Sequence, residues 1–465
     1  MICSVKLTVR LRALIRGVIL GILVCLLFPS FPADAKKKAS PDESKASGSQ
    51  EAKSSAQLYK DLDLFTKVLT LIREDYVENP NDRDMVYGAI RGMLATLDPH
   101  SVFMPPDVYR ELKVDTEGKF GGVGMEVTVK DNFLTVVTAI EGSPAQKAGV
   151  REGDRILKID GVATRELGLS EAVRKMRGAR GTKVTLSLLH TGSRDPVEVT
   201  LARDIIHLKS IRWEMPEEGF GYVRITSFQE DTAEDLEKAL EALNHKAKGG
   251  LKGLVLDLRN NPGGLLDEAV DVCDLFLESG TIVSTASRNH EVDKRVATRS
   301  GAEPTYPIVS LVNGGSASAA EIVAGALQDN KRAVILGTRT FGKGSVQTIF
   351  ELGDGAALKL TVAKYYTPKG RSIQAEGIHP DVVVEAKSPE NASTRNRTLR
   401  EKDLKGHLES EKSHGKSTEK DKKPEMTVKQ EPSSTETEED YQKRIALDYL
   451  KGKNVFSKSK AIKDH

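Results

Sequence analysis

What most constrains this chain is a pattern repeated in its second half: a short apolar run, a glycine-rich turn, then a helical stretch. Leu254-Val255-Leu256 and Ile308-Val309-Ser310-Leu311-Val312 are such runs, each bounded by Gly, Asn or Pro. They are short and nearly continuous, which fits strands buried on both faces. Helical patterns follow at 265–277 and 318–328. Strand and helix in alternation predict an α/β core over residues 206–388. Folds of that class place their sites on loops at the C-terminal ends of strands.

Three loops qualify. Asp257-Leu258-Arg259-Asn260-Asn261-Pro262-Gly263-Gly264 carries paired glycines, which let backbone N–H groups approach a substrate as an oxyanion hole requires. Taken alone, it also fits an ordinary strand-to-helix turn. Asn313-Gly314-Gly315-Ser316-Ala317-Ser318-Ala319-Ala320-Glu321 turns on glycines and starts a helix on small residues. A serine there lies beside exposed N–H groups that favour negative charge, and it equally suits a helix cap. Gly337 to Gln347 contains Phe341-Gly342-Lys343-Gly344, close to a P-loop, but Gly344 stands where the Mg²⁺-binding hydroxyl belongs. The other use of a sheltered lysine is as a general base. Its amine must then be neutral, and moving it from about 10.4 to near 7 takes roughly 4–5 kcal/mol of differential solvation, which burial supplies. An isolated lysine is otherwise a solvated surface charge.

No G-x-S-x-G elbow is present. His290 and His379, the histidines nearest the glycine loops, have no triad-like context. Together the loops point to a Ser-Lys pair, a serine of the Ser316-Ala317-Ser318 turn with Lys343, which needs no histidine.

The flanks set the context. Lys6, Arg10, Arg12 and Arg16 precede the short apolar run Gly17 to Phe28, and Ala33-Asp34-Ala35 offers a cleavage site. Residues 1–35 therefore read as a secretory signal peptide, the run being short for a membrane-spanning helix. An uncleaved anchor, with membrane association, is the alternative. Cys3 and Cys25 would leave with the peptide, and Cys273, in an apolar stretch, reads as core. Residues 36–55 read as a flexible linker. Residues 56–112 read as helical, with an apolar stripe of Leu58, Leu62, Phe65, Leu69 and Ile72 broken at Asn79-Pro80-Asn81. That stripe is core or a dimer seam. Residues 113–205 form a β-rich module, with strands at 133–137, 155–159 and 183–189 and a helix over 169–176. Residues 389–438, crowded with Lys, Glu, Ser and Thr, read as a disordered charged linker, and 439–465 as a C-terminal helical segment. Sixty-nine basic side chains nearly balance 67 acidic ones, so no global field argues for nucleic acid.

The motifs now quoted, with Leu97-Asp98-Pro99-His100-Ser101, Gly121-Gly122-Val123-Gly124-Met125 and Gly377-Ile378-His379-Pro380-Asp381, resemble those of the carboxyl-terminal processing peptidases, or tail-specific proteases. The resemblance runs from about Leu58 to Val384. It implies a multidomain α+β and α/β protein: an N-terminal helical region, an inserted PDZ domain and a crotonase-like protease core. It implies that the nucleophile is Ser318 rather than Ser316, with Lys343 twenty-five positions on as its base and Gln347 orienting the lysine. It places the oxyanion donors on the N–H groups of Gly264 and Ala319, and makes Glu321 and Asp329 supports. Ala320 departs from a serine often found there.

The 113–205 module resembles a PDZ domain, which adds a peptide as an extra strand and captures its terminal carboxylate on loop amides. Gly122, Val123, Gly124 and Met125 would form that loop. Met125, Val127, Val173 and Met176 would line the side-chain pocket, and Arg177 would couple occupancy to catalysis. The expectation is an exported, periplasmic or cell-envelope serine endopeptidase acting on protein C-termini without metal or other cofactor, with a homodimer or an activating adaptor left open. A catalytically silent peptide-binding scaffold is the alternative, and the intact Ser318, Lys343 and Gln347 set argues against it.

Overall fold

The computed structural model describes residues 43–289, 291–298, 305–385, 399–410, 426–428, 438–453 and 456–458. The expected signal peptide lies outside them. The chain divides into two units between Asp82 and Arg83.

The first unit is dominated by helix α1 (Glu43–Asp75). It begins inside the stretch expected to be a flexible linker. Ala, Glu, Lys and Gln are good helix formers, so a polar composition there did not preclude helix. Its stripe residues Leu58, Leu62, Phe65 and Ile72 are exposed. Asn79-Pro80 separates α1 from helix α2 (Asp82–Leu94).

In the second unit, Tyr87, Ile90 and Leu94 of α2 pack with Phe103, Ala356 and Leu358. Helix α3 (Pro106–Glu117) then ends on Gly118, whose φ of 63° is left-handed. The β-module follows as a six-stranded antiparallel sheet. Strand Met125–Lys130 is at one edge of that sheet. Helix α4 (Pro144–Lys147) is capped by Ser143, whose hydroxyl accepts the Gln146 N–H. Helix α5 (Leu169–Met176) lies beside the edge strand.

The core sheet runs Ile211–Glu217, Phe220–Ile225, Gly253–Asp257, Ile308–Val312, Ala333–Gly337, Val382–Val383, Met426–Val428, Phe456–Lys458, and is parallel from its second strand to its seventh. The continuous apolar runs have the expected cause. Leu254, Leu256, Ile308 and Val312 face a core that includes side chains of helices α6 (Thr232–Lys246), α7 (Leu266–Asp274) and α8 (Ala319–Asp329). Val255, Val309 and Leu311 face the opposite side, where Tyr441, Ile445, Ala446 and Leu447 of helix α9 (Glu438–Leu450) cover them. Cys273 is fully buried in the first of these cores, and burial pushes its thiol pKa up.

The C-terminal region departs from expectation. Within the stretch read as a disordered linker, residues 399–410 pack onto the core and Met426–Val428 adds a strand to its sheet. The segment read as helical also contributes the strand Phe456–Lys458. Local composition argued against order there; the partners that supply it, Val382–Val383, Gln374 and His100, lie outside the charged stretch. Helix α9 is fastened by a polar pin. Arg259, fully buried, donates from Nε and Nη2 to Asp257 at 2.9 and 2.6 Å and from Nη1 to Gln442 Oε1 at 2.9 Å. Gln442 Nε2 donates in turn to the Val384 carbonyl, and Tyr222 hydroxyl to Asp257. Buried charge is tolerated because its donors and acceptors are matched.

Candidate active site

The strand Ile308–Val312 delivers the chain to Asn313-Gly314-Gly315, and the turn that follows separates its two serines. Ser316 is buried and immobilised: its Oγ donates to the Leu258 carbonyl at 2.8 Å and accepts the Asn313 N–H at 3.0 Å. Ser318 stands at the N-terminus of α8 with φ 53° and ψ −115°. A non-glycine residue held there is strained, the condition of a nucleophile presented on a strand-to-helix turn. Ser318 and Glu321 are disposed as a capping box, without a cap hydrogen bond from the serine hydroxyl.

Glu321 anchors the turn. Fully buried, it accepts the Ser318 N–H on Oε2 at 2.9 Å. The same carboxylate takes the Lys343 N–H on Oε2 at 2.9 Å, the Gly342 N–H on Oε1 at 2.8 Å and the Thr340 hydroxyl on Oε1 at 2.5 Å. One side chain thus holds the serine turn and the lysine loop together. Burial raises the Glu321 carboxyl to about 7 against the pull of those four donors. The Phe341 N–H adds a bond to the Ser316 carbonyl.

Lys343 is half-buried, and its amine is held below the ordinary lysine value by burial first and then by the Lys359 ammonium. Glu401, Glu321 and Asp98 pull the other way. Among the described residues the Ser318 and Lys343 side chains make no hydrogen bond to each other; the Glu321 carboxylate is what joins their main chains. Gln347 donates from Nε2 to Ser345 Oγ at 2.9 Å and, more weakly, to Thr361 Oγ1 at 3.4 Å, rather than to the lysine.

The Gly263-Gly264 turn backs onto the serine. A Cβ at Gly263 would lie 2.8 Å from Ser318 Cβ and 3.0 Å from the Ala319 nitrogen, so only glycine fits. Gly264, with φ 144°, bridges to Phe228, using Gly263 O and the Leu265 N–H. Among the described residues the Gly264 and Ala319 N–H groups have no backbone acceptor. Ala319 opens α8, and an N–H without an acceptor at a helix start is suited to hold an anion. Asp329 lies at the other end of α8, bound to Arg371 and the Lys369 N–H, away from the serine. Ala320 is core.

In the β-module, Val123 and Met176 are buried core, while Met125, Val127 and Val173 pack against that core partly exposed. Gly122 pairs with Asp204, and Gly124 has a φ of 76° beside Ser143. The outer edge of Met125–Lys130 is open to another strand next to α5. Arg177 stacks its guanidinium 4.9 Å from the Phe120 ring centroid.

Sequence reasoning gave no role to Asp98, His100, Thr361, Gln374 or Glu401, which surround the lysine loop. The Asp98-Pro99-His100-Ser101 motif was visible, but nothing local ties it to residues some 260 or 300 positions on.

A strained serine on a helix N-terminus, a lysine amine lowered by burial and two amides without backbone acceptors fit a serine-type peptidase, and the chain also carries a β-module with an open edge strand. Comparison with known proteins agrees. The model of Peptidase family S41 matches residues 219–384, a PDZ domain model matches 135–189, and the Activating protease CtpB N-terminal domain matches 30–108. The carboxy-terminal-processing protease of Bartonella bacilliformis is 47% identical over 363 residues, 77% of this chain and 83% of that one. The carboxyl-terminal-processing protease of Synechocystis is 44% identical over 323 residues, covering 68% and 75%. The carboxy-terminal processing protease CtpA of Bacillus subtilis is 38% identical over 324 residues, covering 70% and 69%. The chain belongs to the carboxy-terminal-processing protease family of S41 peptidases.

Proposed function

We propose that this protein is an exported endopeptidase that binds the free C-terminus of its substrate on the PDZ domain and cleaves it with Ser318 and Lys343. The observation that carries the reading is the shared Glu321 carboxylate, which fixes the main chain of both residues. Neutral Lys343 takes the Ser318 proton, and Oγ attacks the scissile carbonyl. The Gly264 and Ala319 amides receive the oxyanion. Lys343 returns the proton to the leaving amine, and a water molecule it deprotonates releases the acyl group. Gln347 orients the amine through its Oε1, while its Nε2 is engaged by Ser345 and Thr361.

The open edge of Met125–Lys130 beside α5 supports strand addition by a peptide, with the Gly122 to Met125 loop at its carboxylate end. Arg177, stacked on Phe120 at the end of α5, is in place to report occupancy. The match to the CtpB N-terminal domain and the exposed stripe of α1 favour a partner there, either a second copy or an adaptor. Export rests on the sequence of residues 1–35. Among the described residues no helix is long and apolar enough to cross a membrane.

The test is cleavage of an unfolded protein with a defined C-terminus by wild type, Ser318→Ala and Lys343→Ala. Both variants should fold and be inactive. Activity retained by either would refute the pair.

A further inference from the structure

The lysine loop is enclosed by a connected set of polar groups whose far end comes from the C-terminal extension. Gln347 Nε2 donates to Thr361 Oγ1 at 3.4 Å, and Thr361 Oγ1 to Asp98 Oδ1 at 3.1 Å. Asp98 Oδ1 also accepts the His100 N–H at 2.8 Å, and the His100 ring meets Glu401 through Nε2 at 2.8 Å. Gln374 Nε2 donates to Glu401 Oε1 at 3.0 Å, and Gln374 Oε1 accepts the Gly344 N–H at 3.0 Å. The set therefore returns to the residue adjoining Lys343. The Glu401 N–H adds a bond to the Phe341 carbonyl at 3.2 Å, and Gln374 is held further by the Leu408 carbonyl.

We propose that Glu401 is a positioning residue for Lys343, and that docking of the segment 399–410 completes the catalytic site. This rests on the assignment of Lys343 as the base. Glu401 is fully buried although it belongs to a highly charged stretch of sequence. A carboxylate is buried at high cost unless it is paired, and here both of its oxygens are engaged. Burial pushes its pKa up, but His100 and Gln374 outweigh that and hold it below the usual carboxylate range, so it faces the loop as an anion.

Two consequences follow from that placement. The first is geometric. Glu401 fixes the amide of Gln374, which clamps Gly344, where a Cβ would come within 2.2 Å of the Gln374 nitrogen. The lysine loop then has no slack. The second is electrostatic. The charged groups acting on the Lys343 amine are Glu401, Glu321 and Asp98, which favour its protonated form, and Lys359, which opposes it. Glu401 is the member of that group supplied by the extension.

The experiment compares full-length wild type, Glu401→Ala and Glu401→Gln on a peptide substrate across pH, with melting curves and a Lys343→Ala control. Glu401→Ala leaves His100 and Gln374 without their shared acceptor. Its kcat should fall roughly 10- to 100-fold with KM within about twofold, the pattern of a misplaced reacting group. Glu401→Gln keeps an oxygen for Gln374 and removes the charge. Its acid limb should move to lower pH, because a group favouring protonated lysine is gone. A merely structural role would not move that limb. Wild-type kcat and an unmoved limb in both variants would overturn the proposal. If Glu401→Ala fails to fold, the position of the Glu401→Gln limb decides. Full activity in Lys343→Ala would instead refute the base assignment.

Discussion

The main-chain N–H groups of Ser318 and Lys343 donate to the same oxygen, Glu321 Oε2, each at 2.9 Å. The two loops that carry the proposed catalytic pair are therefore tied at their backbones. The brace is selective for a carboxylate, because all four of its partners are donors. Glu321→Gln turns an NH₂ group onto donors in a fully buried place. We expect kcat to fall by about 10²-fold or more with KM little changed. Steady-state kinetics on a short peptide measure this, and a Glu321→Gln enzyme with wild-type kcat would show that the brace is dispensable.

Lys359 sets the lysine's working range. Its ammonium, itself lowered by burial, disfavours a second positive charge on Lys343. Removing it in Lys359→Gln lets Lys343 hold its proton to higher pH. If the neutral amine is the active form, as proposed, the acid limb of kcat/KM should move upward. A downward shift would contradict the charge arrangement. The direction is opposite to that expected for Glu401→Gln, so the pair of variants brackets the field on one atom.

How much of this was legible in the sequence follows from where each contact is made. Ser318, Lys343 and the glycine pair stand in turns whose local residues dictate their conformation, and their family spacing separates Ser318 from Ser316. Glu321 sits three residues after Ser318, as in a capping box, so its grip on the serine turn was local. Its second grip, on Thr340 to Lys343, depends on a crossing loop. Glu401 was hidden entirely, because its neighbours in sequence describe a solvated chain while His100 and Gln374 describe a buried one. Helix α9 was readable as helical, but its pin to Arg259 through Gln442 was not.

Gly263 is a direct test of the packing behind the nucleophile. Its φ of 101° and the 2.8 Å approach to Ser318 Cβ leave no room for a methyl group. Gly263→Ala should displace the serine turn and the adjacent Gly264 donor together, lowering kcat about 10²- to 10³-fold, as loss of an oxyanion donor does. Labelling of Ser318 by a serine-directed covalent probe should slow in parallel. Unchanged labelling and turnover would place the turn elsewhere.

The pin that holds α9 predicts a stability effect separable from chemistry. Gln442 accepts from buried Arg259 and donates to the Val384 carbonyl. Gln442→Ala removes both bonds at once, and the buried groups lose partners that water does not replace. Unfolding free energy should drop by about 1–3 kcal/mol, read as a lower denaturation midpoint. At temperatures well below the transition kcat should stay near wild type, since Asp257 still holds Arg259 by Nε and Nη2. No change in midpoint would mean that the helix docks by its apolar face alone.

Substitution of Arg177 tests whether recognition and cleavage are coupled. It ends α5, which borders the open edge of the PDZ sheet, and its guanidinium lies over Phe120 of the strand Lys119–Gly122, which pairs with Asp204–His207 just ahead of the protease core. A peptide seated along Met125–Lys130 would press on α5 and so on that stack. Arg177→Ala removes the stack and leaves Ser318, Lys343 and Glu321 untouched. Short peptides that never reach the PDZ domain should be cut at the wild-type rate. Substrates with a recognised C-terminal tail should lose their advantage and fall toward that basal rate, while binding of the isolated tail peptide to the full-length protein persists. Undiminished cleavage of tailed substrates by Arg177→Ala would show that the PDZ domain only tethers, and that Arg177 carries no signal from it.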